Sequence, residues 1–237
     1  EQSSDQEVAF QAVDYILRVL KKNMVFGMTW GRAMHEFVEQ LAKDERLRSL
    51  SFQNVKVVPF LGTPGAIQSD SWNTTTYSNT LATKVGNLLH CASYNLSAPM
   101  YVEGTKEKEL IESIDEIAKV LHMAETADIA LIGIGSMQDD SSIIKAEIRT
   151  REEYKELVRK GAVGEIVGRI YDKNGQTVDE DLKRKMVGIS LDKIAKIPVR
   201  VGMSYGKDKI EAIKGAIAGG LVNVLVTDVP TAELLLK

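Results

Sequence analysis

Residues 201–213, VGMSYGKDKIEAI, combine two glycines and two lysines directly after an apolar run. Such a stretch raises the question of a phosphate-binding loop. The nucleotide P-loop needs Gly, four residues, then Gly-Lys-Ser/Thr, so that backbone N–H groups surround the phosphates. Here the spacer between Gly202 and Gly206 is three residues, and Asp208 stands where the hydroxyl should be. The pattern excludes an NTPase, but a strand, a glycine turn and a helix start still favour some other phosphate site.

Similar polar loops follow several predicted strands. TWGRA follows residues 25–28, GTPG follows 55–61, GSMQ follows 129–134, SYGKDK follows 199–203, and TD follows 222–226. In open α/β sheets, ligands bind beyond the carboxyl ends of the strands. Glycine and hydroxyl residues there suit a site in which backbone N–H groups hold an oxygen-rich anion. The alternative is that each loop is an ordinary turn, and for any single loop that is the more frequent case.

Other chemical signatures are absent from the sequence. His35, His90 and His122 fall on predicted helices without metal-ligand spacing. GIGSMQ lacks the third glycine and the acidic residue of a dinucleotide fingerprint, and no Gly-x-Ser-x-Gly elbow occurs. Cys91, predicted to lie within a helix, is interpreted as a packed thiol and not as a nucleophile. We therefore expect no metal, no cofactor and no catalytic residue.

The hydrophobic pattern alternates between helix and strand periodicity along the chain. Helices are predicted at residues 9–20, 31–44, 79–89, 106–124, 151–160, 207–218 and from 231, and strands at 25–28, 55–61, 100–102, 129–134, 165–171, 186–190, 199–203 and 222–226. Residues 62–79 are too polar for core and are interpreted as a functional loop or linker. This alternation predicts a Rossmann-like α/β fold, a mainly parallel sheet with helices on both faces. The DKNG turn at 172–175 predicts a small antiparallel insertion.

The composition limits the class of protein. A chain of 237 residues with 44% hydrophobic residues can bury a full core, and with no repeat or low-complexity linker we expect one domain over residues 1–237. A net charge of −3 argues against nucleic-acid binding by this segment itself. The single cysteine, together with the lack of a signal peptide or apolar membrane span, predicts a cytoplasmic protein and no membrane contact. Because the chain starts at Glu1, we expect a fragment or processed product.

Six phrases, taken in order, resemble one family: VFGMTWGRAM, VKVVPFLG, ADIALIGIGS, KGAVGEIVGRIYDKNG, IPVRVGMSYGKDKIEAIKGAIAGG and VNVLVTDVPTAELLL. The chain resembles, over nearly its whole length, the sugar-binding effector domain of SorC/DeoR-type bacterial transcriptional regulators, which are related to sugar-phosphate isomerases and amino-sugar-phosphate deaminases. The resemblance implies a domain that binds a phosphorylated sugar and thereby modulates oligomerisation or DNA binding. It also implies a homodimer or homotetramer, with DNA contacted through an N-terminal helix-turn-helix that is absent from this chain.

The resemblance assigns roles to individual residues. TWGRAM matches the phosphate-gripping loop with Ala33 in place of the usual Thr, so Thr29 or Arg32 is expected to carry more of that role. Glu165 matches the residue that accepts hydrogen bonds from sugar hydroxyls. Lys209 matches the phosphate-facing lysine, while Tyr205 replaces a glycine. The combined loops and resemblance predict ligand binding by Thr29, Gly31, Arg32, Gly62, Asn79, Gly135, Ser136, Glu165, Gly206 and Lys209.

Two points remain open at the level of sequence. Asp208 need not repel the ligand, because neighbouring residues of a helix face different directions. An isomerase or deaminase on the same fold is the alternative to a regulator, since fold does not choose function. An isomerase needs a positioned base with an acid partner. Glu165 is the one candidate base at the predicted site and resembles a binding residue, so we favour the regulator and expect no enzyme.

Overall fold

The computed structural model describes residues 4–64, 74–139 and 141–237. This part of the chain contains nine strands: β1 Val25–Met28, β2 Lys56–Pro59, β3 Ala92–Ser93, β4 Ile129–Gly133, β5 Gly135–Ser136, β6 Ala162–Ile166, β7 Arg169–Asp172, β8 Val199–Met203 and β9 Val224–Val226. Six of them form a fully parallel sheet in the order β3-β2-β1-β4-β8-β9. This arrangement confirms the predicted parallel α/β fold.

Helices connect these strands. They are α1 Ser4–Val19, α2 Arg32–Leu41, α3 Ser78–Leu88, α4 Thr105–Glu112, α5 Asp115–Glu125, α6 Ser142–Lys145, α7 Arg151–Arg159, α8 Glu180–Lys185, α9 Leu191–Ile194, α10 Ile210–Ala218 and α11 Val229–Leu235. Within the described ranges, no helix is long and apolar enough to cross a membrane.

The main sheet is covered on both faces, because successive strand side chains point in opposite directions. Phe26 and Met28 of β1 pack into a buried cluster with α1, α2 and α3. Ala130 and Ile132 of β4 pack into the opposite cluster, which contains residues of α5, α10 and the smaller sheet. The two layers explain why the strands are almost uniformly apolar.

The smaller sheet, β5-β6-β7, is antiparallel and lies between β4 and β8 in the chain. The insertion was predicted, but its turn was misplaced. The single strand predicted at 165–171 is the β6–β7 hairpin, which turns at Val167 and Gly168 with φ values of 53° and 68°. The DKNG turn does form, since the Asp172 carboxylate accepts the N–H groups of Asn174 and Gln176 at 2.9 Å.

Three further predicted elements and the predicted position of Cys91 differ from the structure. Residues 100–102 and 186–190 are not strands but carry the isolated bridges Tyr101–Met186 and Leu61–Gly188. The helix predicted at 106–124 is divided into α4 and α5, and the Ser113 hydroxyl, which donates to Leu110 O at 2.7 Å, ends the first of them. Cys91 lies just after α3 and not within a helix. Most of the predicted polar loop, residues 65–73, lies outside the described residues.

Candidate functional site

A cavity of about 370 Å³ opens at the carboxyl ends of β1, β4 and β8, which are neighbours in the main sheet. Residues of the loops after these three strands form its walls, together with Glu165 of β6, Ser141 and residues of α6. Its described lining residues are Trp30, Gly31, Arg32, Ala33, Gly133, Ile134, Gly135, Ser136, Ser141, Ser142, Lys145, Glu165, Met203, Ser204, Tyr205, Gly206, Asp208 and Lys209.

The loop after β1 places the amino-terminal end of α2 beside the cavity. The Thr29 hydroxyl accepts the Gly133 N–H at 3.0 Å and so ties the end of β1 to the end of β4. Gly31 follows with φ of 108°, a conformation that suits glycine, and serves as the N-cap of α2. Because glycine has no side chain, it leaves the first N–H groups of α2 without a capping oxygen from that position. The helix start is an anion-attracting edge of the cavity.

Glu165 of β6 also lines the cavity, beside Gly135. Glu165 is 6% exposed, and a Cβ at Gly135 would lie 2.8 Å from its Oε2 atom, so a larger residue at position 135 would displace the carboxyl group. The Gly168 N–H donates to Oε1, and the Trp30 side chain also donates to this carboxyl. Burial raises the pKa of Glu165 to about 7, although these donors and the nearby Lys209 charge oppose the shift.

The loop after β8 brings Lys209 to the cavity floor. Gly206 has φ of 106°, and its N–H donates to Thr231 Oγ1 at 2.8 Å, which fixes the turn. Lys209 Nζ donates to Ser136 Oγ at 3.0 Å. Ser136 Oγ also lies 3.2 Å from Asp208 Oδ2, to which it donates. The loops after β4 and β8 are thus joined by a small polar network.

Asp208 does not face away from Lys209, in contrast to the sequence interpretation. Both residues line the cavity, and Lys209 Nζ is 3.8 Å from Asp208 Oδ2. The reason is local: residues Lys207–Lys209 form a 3-10 turn, and α10 begins only at Ile210. The spacing rule for α-helical faces therefore does not apply to this pair.

Seven of the predicted site residues meet in this cavity: Gly31, Arg32, Gly135, Ser136, Glu165, Gly206 and Lys209. Three others are not among its described lining residues. Thr29 is 1% exposed, with its hydroxyl bonded to Gly133. Gly62 lies against backbone, since a Cβ there would be 2.6 Å from Ala98 O. Asn79 clamps the chain near Leu96, donating to Leu96 O at 3.1 Å and accepting its N–H at 2.8 Å.

Sequence reasoning missed several lining residues, among them Trp30, Ser141, Ser142, Lys145 and Ser204. Ser141 was detectable, because it stands before a short apolar run and caps α6 by accepting the Ile143 N–H at 3.1 Å. Ser204 directly follows β8 and belongs to the same loop that was singled out. Lys145 has no comparable signal, since a lysine at the end of a short helix is ordinary surface chemistry.

The cavity is suited to bind an oxygen-rich anion. Three cationic side chains line it, those of Arg32, Lys145 and Lys209, against the carboxyls of Asp208 and Glu165. A pKa of about 7 leaves Glu165 partly protonated near neutral pH, which adds to the positive balance. The described lining contains no histidine, and nowhere in residues 4–64, 74–139 and 141–237 does a group of three or more His, Cys, Asp or Glu side chains form a metal site.

Two other cavities are larger but less suited to such a ligand. One of about 630 Å³ lies beside Lys56 and Ala92, at the amino ends of the strands, and one of about 720 Å³ lies beside α5. The first is at the end of the sheet opposite to the one where parallel α/β folds bind ligands. The second is lined by residues that follow the edge strand β3 and by α5, not by the loops after the central strands. We therefore assign the site to the smaller cavity between β1, β4 and β8.

Known proteins similar to this chain are found by both sequence and structure. The family model described as "Putative sugar-binding domain" matches residues 1–237. The chain is 30% identical over 222 residues to the sorbitol operon regulator of Klebsiella pneumoniae, covering 93% of this chain and 67% of that protein. It is also 30% identical over 230 residues to the transcriptional regulator LsrR of Escherichia coli K12, covering 95% and 67% respectively.

Two solved structures have the same fold. The full-length sorbitol operon regulator SorC from Klebsiella pneumoniae matches with a TM-score of 0.86 and 28% identity, over 99% of this chain and 75% of that one. A transcriptional regulator from Streptococcus pneumoniae TIGR4 matches with a TM-score of 0.85 and 25% identity, over 98% and 84%.

Proposed function

The chain belongs to the sugar-binding domain family of SorC-type bacterial transcriptional regulators, and from this premise we propose that its cavity binds a phosphorylated sugar as an effector. The relatives are named regulators, which confirms the preference for a regulator over an isomerase or deaminase. One observation carries the proposal: Lys209 Nζ donates to Ser136 Oγ at 3.0 Å in a cavity that also receives the start of α2.

The phosphate end of the ligand belongs at α2 and the 206–209 loop. Backbone N–H groups at the start of α2 and the Arg32 guanidinium supply one set of donors. Lys209 and Ser136 supply the other set from the neighbouring loops, and a phosphate oxygen replaces the contact they make with each other. Charge-assisted hydrogen bonds of this kind are about twice as strong as neutral ones. Gly31 and Gly206 permit the close approach of backbone that such a ligand needs.

The sugar end belongs at Glu165. Its carboxyl group is fixed by Gly168 and Trp30, so the orientation of its oxygens is set before a ligand arrives. A carboxylate accepts hydrogen bonds from hydroxyl groups, and vicinal hydroxyls are what a sugar offers. Thr29, Gly62 and Asn79, which the sequence placed among the binding residues, act in this proposal through the framework around the cavity.

Effector binding is proposed to act on the full-length regulator. DNA contact is assigned to a helix-turn-helix outside this chain, in line with the charge of −3 of the segment itself. We further propose a homodimer or homotetramer that works in the cytoplasm. The sugar changes the oligomer or its DNA affinity only if it binds the two states with different affinities. Light scattering with and without sugar phosphate measures the change in oligomeric state directly.

The first test is ligand preference. Isothermal titration calorimetry over a panel of hexose and pentose phosphates, with their free sugars as matched controls, measures the contribution of the phosphate. We expect the preferred phosphorylated sugar to bind at least about tenfold more tightly than its free counterpart, about 1.4 kcal/mol. Equal affinities for the two sets would overturn the proposal.

The same experiment locates the phosphate. Lys209→Ala removes the donor on the cavity floor and is expected to weaken binding by about 1.5–3 kcal/mol. Lys214→Ala is the matched control, since Lys214 lies on α10, is not among the lining residues and pairs with Glu211 at 3.8 Å. Both variants lose one positive charge. If they bind sugar phosphate equally well, the phosphate is not held by the 206–209 loop.

A further inference from the structure

Tyr205 forms part of the cavity wall, and its backbone is fixed on both sides. The Ser204 N–H donates to Val226 O at 3.3 Å, and the Gly206 N–H donates to Thr231 Oγ1 at 2.8 Å. The main chain at this point is therefore tied to β9 and α11. With the backbone fixed, the side-chain torsion angles of Tyr205 set the position of its ring, and the ring position sets the width of the cavity.

The Tyr205 ring is held from outside the cavity. Its hydroxyl donates to Asp5 Oδ1, in the first turn of α1, 200 residues away in the sequence. The ring also packs against the apolar cluster between α1, α2 and the sheet. Burial raises the pKa of the Tyr205 phenol above its ordinary value, so the hydroxyl is a neutral donor across the physiological range. The charges of Arg32 and Glu36 act on the same hydroxyl from α2.

We infer that Asp5 is a positioning residue for Tyr205, and that the Asp5–Tyr205 hydrogen bond couples the sugar cavity to the first turn of α1. This inference rests on the proposed function for the identity of the ligand. Without the hydrogen bond, the ring has no polar anchor among the described residues and samples rotamers that narrow or open the cavity. The motif that this loop resembles has a glycine at this position, so the Tyr205 wall and its anchor are a departure of this chain from that motif.

The coupling is reciprocal. If the anchored ring raises the affinity for the sugar phosphate, the bound sugar phosphate must stabilise the anchored state by the same factor. The first turn of α1 has few buried contacts to stabilise it, because only one face of this amphipathic helix is buried and the turn begins with the exposed Ser4. Occupancy of the cavity is therefore transmitted to the amino end of the described chain through this hydrogen bond, beside the packing of the ring against the α1 cluster.

Hydrogen exchange on the ligand-free domain tests the contact itself. Tyr205→Phe is expected to speed exchange at residues 6–10, and Asp5→Ala at residues 204–209, each about threefold or more, the size of one lost hydrogen bond. Asp5→Asn keeps an acceptor and should restore slow exchange. Glu7→Ala, in the same helical turn, and Tyr15→Phe, further along α1, are controls for lost helix charge and lost hydroxyl. Unchanged exchange at 204–209 in Asp5→Ala overturns the inference.

Calorimetry with the sugar-phosphate panel tests the consequence for binding. Tyr205→Phe and Asp5→Ala should each weaken the tightest sugar phosphate about threefold or more, and the double variant should lose no more than either single variant. Additive losses, or a loss in Asp5→Ala that Asp5→Asn does not rescue, overturn the coupling. A wild-type domain that binds no sugar phosphate would refute the proposed function instead, while the exchange experiment would still decide whether Asp5 positions Tyr205.

Discussion

At the scale of single residues, Glu165 shows how the same burial serves binding and costs stability. Its carboxyl group is enclosed by Gly135, Gly168 and Trp30, so the charged form is poorly solvated. Burial raises the pKa of Glu165 to about 7 from an ordinary value of 4.5. A carboxyl group enclosed in a cavity loses its hydration on folding, and this desolvation cost lowers the stability of the ligand-free protein until a ligand compensates for it.

The raised pKa predicts a pH-dependent effect of one substitution. A carboxyl whose pKa is higher in the folded state stabilises the fold fully below about pH 4.5, and that contribution is lost as the pH rises through about 7. Glu165→Gln stays neutral and should not suffer this loss. We expect the difference in melting temperature, Glu165→Gln minus wild type, to be about 5 °C larger at pH 8 than at pH 5.

Differential scanning fluorimetry from pH 5 to 8 measures this difference. Glu211→Gln, on the exposed face of α10, is the control and should follow the wild type at every pH. A Glu165→Gln curve parallel to that of the wild type would show that the buried carboxyl does not carry the expected cost.

At the scale of elements, the β6–β7 hairpin shows where sequence reasoning reaches its limit. Its turn residues are Val167 and Gly168, and valine at φ of 53° is unfavourable because of its branched Cβ. The turn of a tight hairpin is normally recognisable in the sequence from Asn-Gly or Asp-Gly, and the nearby DKNG turn contains such a pair. Val167 adopts this conformation where its side chain is 1% exposed in the core, a tertiary contact that no local pattern reveals.

A buried ion pair joins the starts of the two helices that flank this hairpin in the sequence, α7 and α8. Arg149, just before α7, donates to both oxygens of Asp179 at 2.8 and 3.1 Å, and Asp179 in turn caps α8. Arg149→Ala leaves that carboxylate buried and without its partner, so we expect it to lower the free energy of unfolding by about 3–5 kcal/mol. Urea denaturation provides the measurement.

Arg151→Ala is the matched control for this pair. Arg151 contacts Asp139 at 3.5 Å, and both side chains are largely exposed, so its loss should cost less than about 1 kcal/mol. Similar losses for the two arginines would mean that the Arg149–Asp179 pair is not desolvated as its burial indicates.

At the scale of the whole molecule, the position of the cavity could be predicted but not all of its lining. Strand-end loops are readable because apolar strands and glycine turns alternate in the sequence, and parallel strands end at one edge. Which loop residues face inward depends on local geometry. Asp208 lines the cavity because α10 starts late, and Thr29 does not because its hydroxyl is bonded across to Gly133.

The shared cavity walls predict that the chain unfolds as one unit. The loops after β1, β4 and β8 are joined by direct hydrogen bonds, including Thr29–Gly133 and Ser136–Lys209. Scanning calorimetry should show a single transition, which a sugar phosphate at about 100 times its Kd raises by roughly 5–10 °C. Two transitions, with one insensitive to ligand, would contradict the single domain expected over residues 1–237.

The contact between Lys209 and Ser136 spans 73 residues of chain, and strands β6 and β7 of the smaller sheet lie between the two residues in the sequence. During synthesis on the ribosome, β1 and β4 emerge long before the loop after β8, so the emerging chain has half of a binding site for a considerable time. Only after residue 209 has left the exit tunnel can the cavity close. A ligand of this cavity, such as the proposed sugar phosphate, therefore cannot guide the early steps of folding and can stabilise only chains in which the loop after β8 has already formed.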